Sequence, residues 1–382
     1  MERTQDRYAY LTAGVWIIAA VAIGYVLWVG RDILAPFALA VFVWLIMEGL
    51  ARTIRRRTRA HMIAAHIAAI VLVIAGVVLF ISILREAVVE FADHSDAYEE
   101  RINTLIADVY GMLGLRDAPL LSQLLYSDAS ARFIEPLLGS ARSLASNLVL
   151  ILIYIAFLYV SSATFSAKLD RVFPDTAGRR RARRVSKGIR RTMEEYLSVQ
   201  TALSLITTSL TYATLLALGL DNALFWAVVI FVLNYIPTVG SVLAAILPAL
   251  FAIVQPDWPS WMPQDPMWSA LIVFLGVSVW QFTIGNFIGP RMMGDKLNLD
   301  ALVVLLSLAV WGAIWGIPGM FLSAPLTVLI MIVLEQIEGA KWIAVVLSAD
   351  GKPVSPQDAV TRGEDGSAPG AATPGATSPA AE

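Results

Sequence analysis

The sequence predicts an all-α polytopic membrane protein, on three observations. Of 382 residues, 58% are in the AVILMFWYC set and only 15% are charged, against roughly 45–50% and about 25% in soluble domains. Mean hydropathy is +0.69, and a soluble fold of this length has too little interior to hide that much apolar surface. The apolar residues gather into about 8 long segments, and ~20 such residues cross ~30 Å of hydrocarbon as a helix. An ordinary soluble enzyme is excluded. The absence of cysteine also removes disulfides, thiolate metal sites and a cysteine nucleophile.

Residues 1–84 hold three spans: Ala9 to Val29, Ile33 to Leu50 and Ile63 to Leu84. Arg3 and Arg7 precede the first in the manner of a signal peptide. Its apolar run exceeds the ~7–15 residues of a signal core and a second span follows at once, which predicts a retained anchor. Residues 85–143 carry ten acids against five bases. There Ile102, Leu105, Ile106, Val109, Tyr110 and Leu113 follow the spacing of one helix face. Leu121, Leu124 and Leu125, then Phe133, Ile134, Leu137 and Leu138, mark a second helix interrupted around Ser127 to Ser130. The segment reads as a small extracytoplasmic helical insert of about three pieces.

Residues 144–163 contain the fourth span, Leu144 to Ser161. Residues 164–198 are amphipathic and basic, with ten Lys/Arg between Lys168 and Arg191. No aromatic platform or nucleic-acid motif accompanies them, so no nucleic-acid partner is expected. Retention in the cytoplasm and contact of 168–191 with anionic lipid are the expected roles. Residues 199–345 form a transport half, and 346–382 a cytoplasmic tail. From Gly351 onward that tail is rich in Ala, Gly, Pro, Ser and Thr, too poor in apolar surface to offset ordering entropy.

Charge sets the topology. With the N-terminus inside, the Arg52, Arg55, Arg56, Arg57, Arg59 cluster and the basic segment are both cytoplasmic, and the acidic insert is outside. The transport half is harder to thread, since residues 192–290 contain no Lys or Arg. A fifth span runs Val199 to Leu218, and another Trp268 to Ile288. Between and after them, Ala223 to Val254 and Ala301 to Leu334 are overlong. The first is interrupted at Asn234-Tyr235-Ile236-Pro237-Thr238-Val239-Gly240, the second at Trp315-Gly316-Ile317-Pro318-Gly319. A straight helix over the first would reach ~48 Å, and each half only ~21–26 Å; Pro and Gly together break helices. Each segment is therefore either one kinked crossing or a re-entrant hairpin. The hairpin fits the lengths, returns Arg291 and Lys296 to the cytoplasm, and keeps the C-terminus inside. Two span-plus-hairpin units then form an inverted repeat, the arrangement in which transporters place a midplane site between broken helices.

Broken backbone inside a bilayer survives only where protein or a watery cavity satisfies it. The candidate solute-binding residues accordingly cluster at the breaks. They are Asn234, Pro237, Thr238, Gly240 and Ser241 at the first, and Gly316, Pro318, Gly319 and Ser323 at the second, with Thr327 near by. Gln200, Thr207 and Thr208 on the fifth span, and Gln281 and Asn286 on the next, are positioned to join them. This polarity is uncharged and suits a neutral hydroxylated solute or a weakly held Na⁺, although a lone Ser or Thr in a span also serves helix packing. All acids within 199–334 fall in predicted loops. Glu48, near the cytoplasmic end of the second span, is the one ion-coupling candidate; a carboxylate snorkelling toward the Arg52 cluster is the alternative. No His-Glu-x-x-His site is present, and His61 and His66 are off a shared helix face, so no metal or cofactor is expected.

Asn234 to Gly240 resembles the Asn-Phe-Ile-Pro-x-x-Gly signature of the autoinducer-2 exporter (AI-2E) family of bacterial membrane transporters. Asn286-Phe287-Ile288-Gly289-Pro290-Arg291-Met292-Met293-Gly294, followed by Leu297-Asn298-Leu299, is similar to that family's Pro-x-x-x-Gly loop. Trp311 to Met320 and Ala324-Pro325-Leu326-Thr327 resemble its final motif. The likeness extends more loosely to Leu34-Ala35-Pro36-Phe37, the insert and the basic segment. The chain departs from the family at Val160-Ser161-Ser162, Val199 and Glu48. The resemblance implies a non-enzymatic inner-membrane permease, a homo-oligomer, exporting a small solute such as the autoinducer-2 furanone. A monovalent cation/proton antiporter is the alternative, and a non-transporting scaffold binding a partner through 85–143 is the third class. In this cysteine-free chain, Asp257→Cys and Lys296→Cys are expected to react with an impermeant thiol reagent from opposite sides of the membrane. Reaction of both from one side defeats the hairpin topology.

Overall fold

The computed structural model describes the backbone of residues 2–353 except 60, 116, 126–127, 174, 294–297 and 338. Side chains are described for the same residues except 2–13, 16–17, 124–146, 163, 166 and 169. The expected side of Lys296, and residues 354–382 of the expected tail, lie outside the described residues. Among the described residues the named elements are all helical, as composition predicts. In order they are α1 (Glu2–Val29), α2 (Arg31–Thr58), α3 (Met62–Asp93), α4 (Ser95–Met112), α5 (Leu121–Leu125), α6 (Asp128–Val172) and α7 (Thr176–Leu218). There follow α8 (Ala223–Leu233), α9 (Val239–Val254), α10 (Pro266–Thr283), a π-helical turn (Ile284–Ile288), α11 (Gly289–Met293), α12 (Ala301–Trp315), α13 (Ile317–Glu335) and α14 (Lys341–Leu347).

Five of these are long and apolar enough to cross a membrane: α2, α3, α7, α10 with its continuation through α11, and α13. α8, α9, α12 and apolar stretches of α1 and α6 are shorter. α3 buries only Ala65, Ala69, Ile83 and Ala87, while Ile67, Val71, Ile74 and Val78 are exposed. Such a helix is stable only where lipid or another apolar surface covers it.

Two helices run across compositional boundaries. α6 continues from the acidic insert into the fourth apolar segment, and α7 from the basic segment into the fifth. No proline interrupts α7. The Asp175 side chain caps its start by accepting from the Gly178 amide, and Gly219 in the left-handed conformation (φ 77°) ends it. After α14, residues expected in the tail pair back on the chain. Leu299 and Ser348 form an isolated antiparallel bridge, and the Asn298 amide donates to Asp350 Oδ1 at 2.6 Å.

Both overlong segments fold back on themselves. Trp226, early in α8, and Phe251, late in α9, have ring centroids 5.4 Å apart, whereas 25 residues of straight helix span ~37 Å. The Trp311 indole N–H lies 3.4 Å from Thr327 Oγ1 across α12 and α13, against ~24 Å along one kink-free helix. The hairpins come from opposite ends of the molecule. The base of the first sits beside the insert, where the Tyr98 hydroxyl donates to Asp221 Oδ2 at 3.2 Å. The base of the second sits at the basic start of α7, where Arg181 donates to the Gln336 carbonyl at 2.8 Å. Their tips meet: Tyr235 and Phe321 stack at 4.8 Å.

The tips are built alike. A Cβ at Gly240 would collide with the Leu233 carbonyl, and one at Gly319 with the Trp311 carbonyl. In each case the glycine lets the second helix start against the end of the first. Gly316 turns the second tip at φ 67°, ψ −141°, a region essentially reserved for glycine. The first tip has no glycine at the corresponding turn; Thr238 carries it at φ 60°, ψ −59°. That conformation costs a β-branched residue ~1–3 kcal/mol. Gly319→Ala and Gly240→Ala are therefore expected to abolish the monodisperse folded protein in detergent. Thr238→Gly is expected to raise thermal stability by ~1 kcal/mol, the strain released less the ~0.5–1 kcal/mol entropic cost of glycine. A fall in melting temperature for Thr238→Gly refutes the strain.

Candidate permeation site

Where the tips meet, uncharged polar groups from two helices converge on one residue at the end of a third. Gln200, on α7, donates its Nε2 to the Asn234 carbonyl at 2.6 Å. Gln281, on α10, donates to Asn234 Oδ1 at 3.1 Å. Asn234 ends α8, so its carbonyl is one the helix leaves without an internal partner. Its Nδ2 is inaccessible and has no partner. Next to it, Thr201 donates to the Leu197 carbonyl at 2.7 Å, so at the 2.8 Å Thr201–Tyr235 contact the phenol is the donor. Tyr235 is thus held by its hydroxyl on one side and by stacking on Phe321 on the other.

The remaining sequence candidates separate into two groups. Pro237, Thr238 and Gly240 shape the first tip, and Gly316, Pro318 and Gly319 the second. Ser241 and Ser323 donate to backbone carbonyls of their own turns, Thr238 and Met320, each at 2.8 Å, and Thr207 bonds back to Leu203. Asn286 stands apart: it is exposed on the π-helical turn and donates to Phe282 at 2.9 Å. Sequence reasoning missed Thr201, Tyr235 and Phe321 as tip contacts. It also missed Ser204 and Thr211, buried on α7 with hydroxyls that have no partner, as has Thr208. Tyr235 lay inside the interrupted motif and carried the available signal; Phe321 reads from sequence as an ordinary span residue.

Glu48 lies in a different place, among charges that tie α2 and α3 to α7. It is 7% exposed. Arg190 reaches its Oε1 at 2.6 Å and the His66 Nε2 its Oε2 at 3.2 Å. Arg190 also pairs with Glu194 at 2.9 Å and lies over the Trp44 ring, and Arg52 pairs with Glu194. At the other end, Phe91, Tyr98, Phe251 and Trp226 form a continuous aromatic cluster over the first hairpin. Burial pushes the Asp221 carboxyl above its ordinary value, with the Tyr98 hydrogen bond opposing the shift. The same burial raises the Tyr98 phenol.

Removing one member of such a charge cluster leaves the others uncompensated. Glu48→Ala is expected to destabilise the protein by ~2 kcal/mol. The ~3–5 kcal/mol of a fully buried pair is reduced because the Arg190 side chain is 39% exposed. The readout is the thermal unfolding midpoint in detergent, and an unchanged midpoint refutes a bracing role.

The sequence signature of the AI-2E family transporter matches residues 17–339. The chain is 31% identical over 322 residues to the AI-2 transport protein TqsA of Escherichia coli (strain K12), covering 83% of this chain and 90% of TqsA. It is 28% identical over 332 residues to YhhT of the same organism, covering 85% of this chain and 90% of YhhT. A Haemophilus influenzae relative is 27% identical over 318 residues, covering 80% and 87%. With relatives of this kind and a fold of long apolar helices, membrane transport of a small molecule is the role supported. The chain belongs to the AI-2E transporter family.

Proposed function

We propose that the chain is a permease of the bacterial inner membrane that exports a small, neutral, hydroxylated solute of the autoinducer-2 class. It works by alternating access around the two hairpin tips, with both termini cytoplasmic, and as a homo-oligomer. The observation that carries this reading is the convergence of Gln200 and Gln281 on Asn234 at the junction of the tips. A solute that competes for the Asn234 carbonyl and amide can exchange hydrogen bonds with the glutamines and so couple its binding to separation of the tips. The uncharged character of the junction favours a solute that presents hydroxyls and carbonyls. The likeness to TqsA, an AI-2 transport protein, supports the furanone class.

A second reading, a monovalent cation/proton antiporter, draws on the buried Glu48–His66 contact. The two are separated by one experiment: flux in proteoliposomes across a panel of small hydroxylated solutes, with and without Na⁺ or H⁺ gradients. Asn234→Ala and Gln281→Ala are each expected to cut solute flux by about tenfold or more, the worth of one or two buried hydrogen bonds, while insertion is normal. Wild-type flux in both variants refutes the permease site. Na⁺-driven proton flux that Glu48→Gln abolishes establishes the antiporter instead.

A further inference from the structure

α2, α6, α7 and α13 enclose a cavity of about 1100 Å³ that is separate from the tip junction. It is larger than the ~300–1,000 Å³ of ordinary small-ligand pockets. It is also long: its α7 wall runs from Gly178 to Met193, ~22 Å at the helical rise, and its α13 wall from Pro325 to Val333, with Gln336 and Ile337 just past that helix. Arg181 and Gln336 mark the end where α7 begins and α13 finishes, with Ser186 about midway along the α7 wall. Arg190 lies beside Met193 at the other end of that wall, where Glu48 and Glu194 take up its charge. The lining at Leu27, Leu34 and Trp315 is apolar.

The two arginines of the lining are not equivalent. Arg190 is neutralised by Glu48 and Glu194. Among the described residues, Arg181 donates to the Gln336 carbonyl and makes no ion pair. A cation held at the mouth of a long apolar slot complements one kind of molecule, an amphiphile with an anionic head and a hydrocarbon tail. A compact hydrophilic solute would find no hydrogen-bonding partners in the apolar half. We infer that this cavity is a binding site for one anionic phospholipid of the cytoplasmic leaflet, its headgroup on Arg181 and Ser186 and one acyl chain lying toward Leu34 and Trp315. This is a single intramolecular site, distinct from the diffuse attraction of residues 168–191 for a charged surface.

The test uses the full chain in nanodiscs of equal phosphatidylglycerol and phosphatidylcholine, with lipid retained through detergent washing counted by native mass spectrometry. One phosphatidylglycerol per chain is expected. Ala182→Trp on α7, or Ala38→Phe on the facing α2 wall, fills the cavity and should abolish that retention. Arg181→Gln should lower the preference for phosphatidylglycerol about fivefold, the worth of one basic residue at a lipid headgroup, and Arg184→Gln should leave it unchanged. Equal retention of the two lipids by wild type overturns the inference, as does undiminished retention in the filled variants. So does a change of oligomeric state in the filled variants with lipid count intact, which assigns the cavity to a second copy. Should neither filled variant insert, the Arg181→Gln preference decides alone.

Discussion

The need to satisfy a broken backbone away from water governs this structure. Two apolar segments are interrupted by Pro and Gly, and each interruption frees carbonyl and amide groups that a lipid cannot satisfy. The chain meets the requirement partly by packing Asn234 and Tyr235 against α7, α10 and Phe321, and partly by backbone bonds within each turn, Gly240 N–H to the Ile236 carbonyl and Gly316 N–H to the Gly312 carbonyl. Gln200 takes up the Asn234 carbonyl, Gln281 its side-chain oxygen, and Tyr235 seals the contact by stacking on Phe321. The glycines then follow as a steric consequence. Only a residue without Cβ lets α9 and α13 begin against the carbonyls that end α8 and α12. Polar side chains at the tips are thus the means by which hairpins exist at all in this half of the chain.

Around this junction, two peripheral devices hold the frame. At the basic end, Glu48 and Glu194 gather Arg52, Arg190 and His66 and join α2 and α3 to α7. At the acidic end, Tyr98 and Phe91 from the insert close over the first hairpin through Phe251. The first device is ionic and joins α2, α3 and α7; the second is aromatic and closes on the base of the first hairpin. The two tips differ in their own attachments: Trp315 and Leu322 of the second belong to an apolar cluster with α2 and α7, whereas the first is held at Asn234 by side-chain hydrogen bonds.

Much of this was legible in the sequence because hydrophobic length and charge bias are read residue by residue. The two breaks follow from Pro/Gly chemistry, and segment length favours the hairpin over a kinked crossing; Asn234, Gln200 and Gln281 stand out as scarce polar groups in an apolar half, but that they meet is read only from the fold. Other features were hidden because they depend on which faces meet. Phe321 and Phe251 look like any span residue until a partner ring lies against them. Thr238 holds a positive φ that no composition signals, at a turn where the other hairpin uses Gly316. The continuity of α6 and α7 across changes of composition was equally invisible, since a helix tolerates a shift from polar to apolar faces so long as no residue breaks its hydrogen bonds. Asn286 shows the converse: a polar residue inside a recognisable motif, yet turned away and satisfied by its own helix.

The uninterrupted α7 has a mechanical meaning. Its 43 residues make a rod of ~65 Å, with Arg181 near one end, Gln200 some ~28 Å along, and Gly219 at the other. One unbroken helix therefore carries both Arg181, which holds the Gln336 carbonyl at the base of the second hairpin, and Gln200, which holds the Asn234 carbonyl at the tip of the first. The two hairpins are referenced to a single rod, and the spacing between those two grips is set by the rise of one helix.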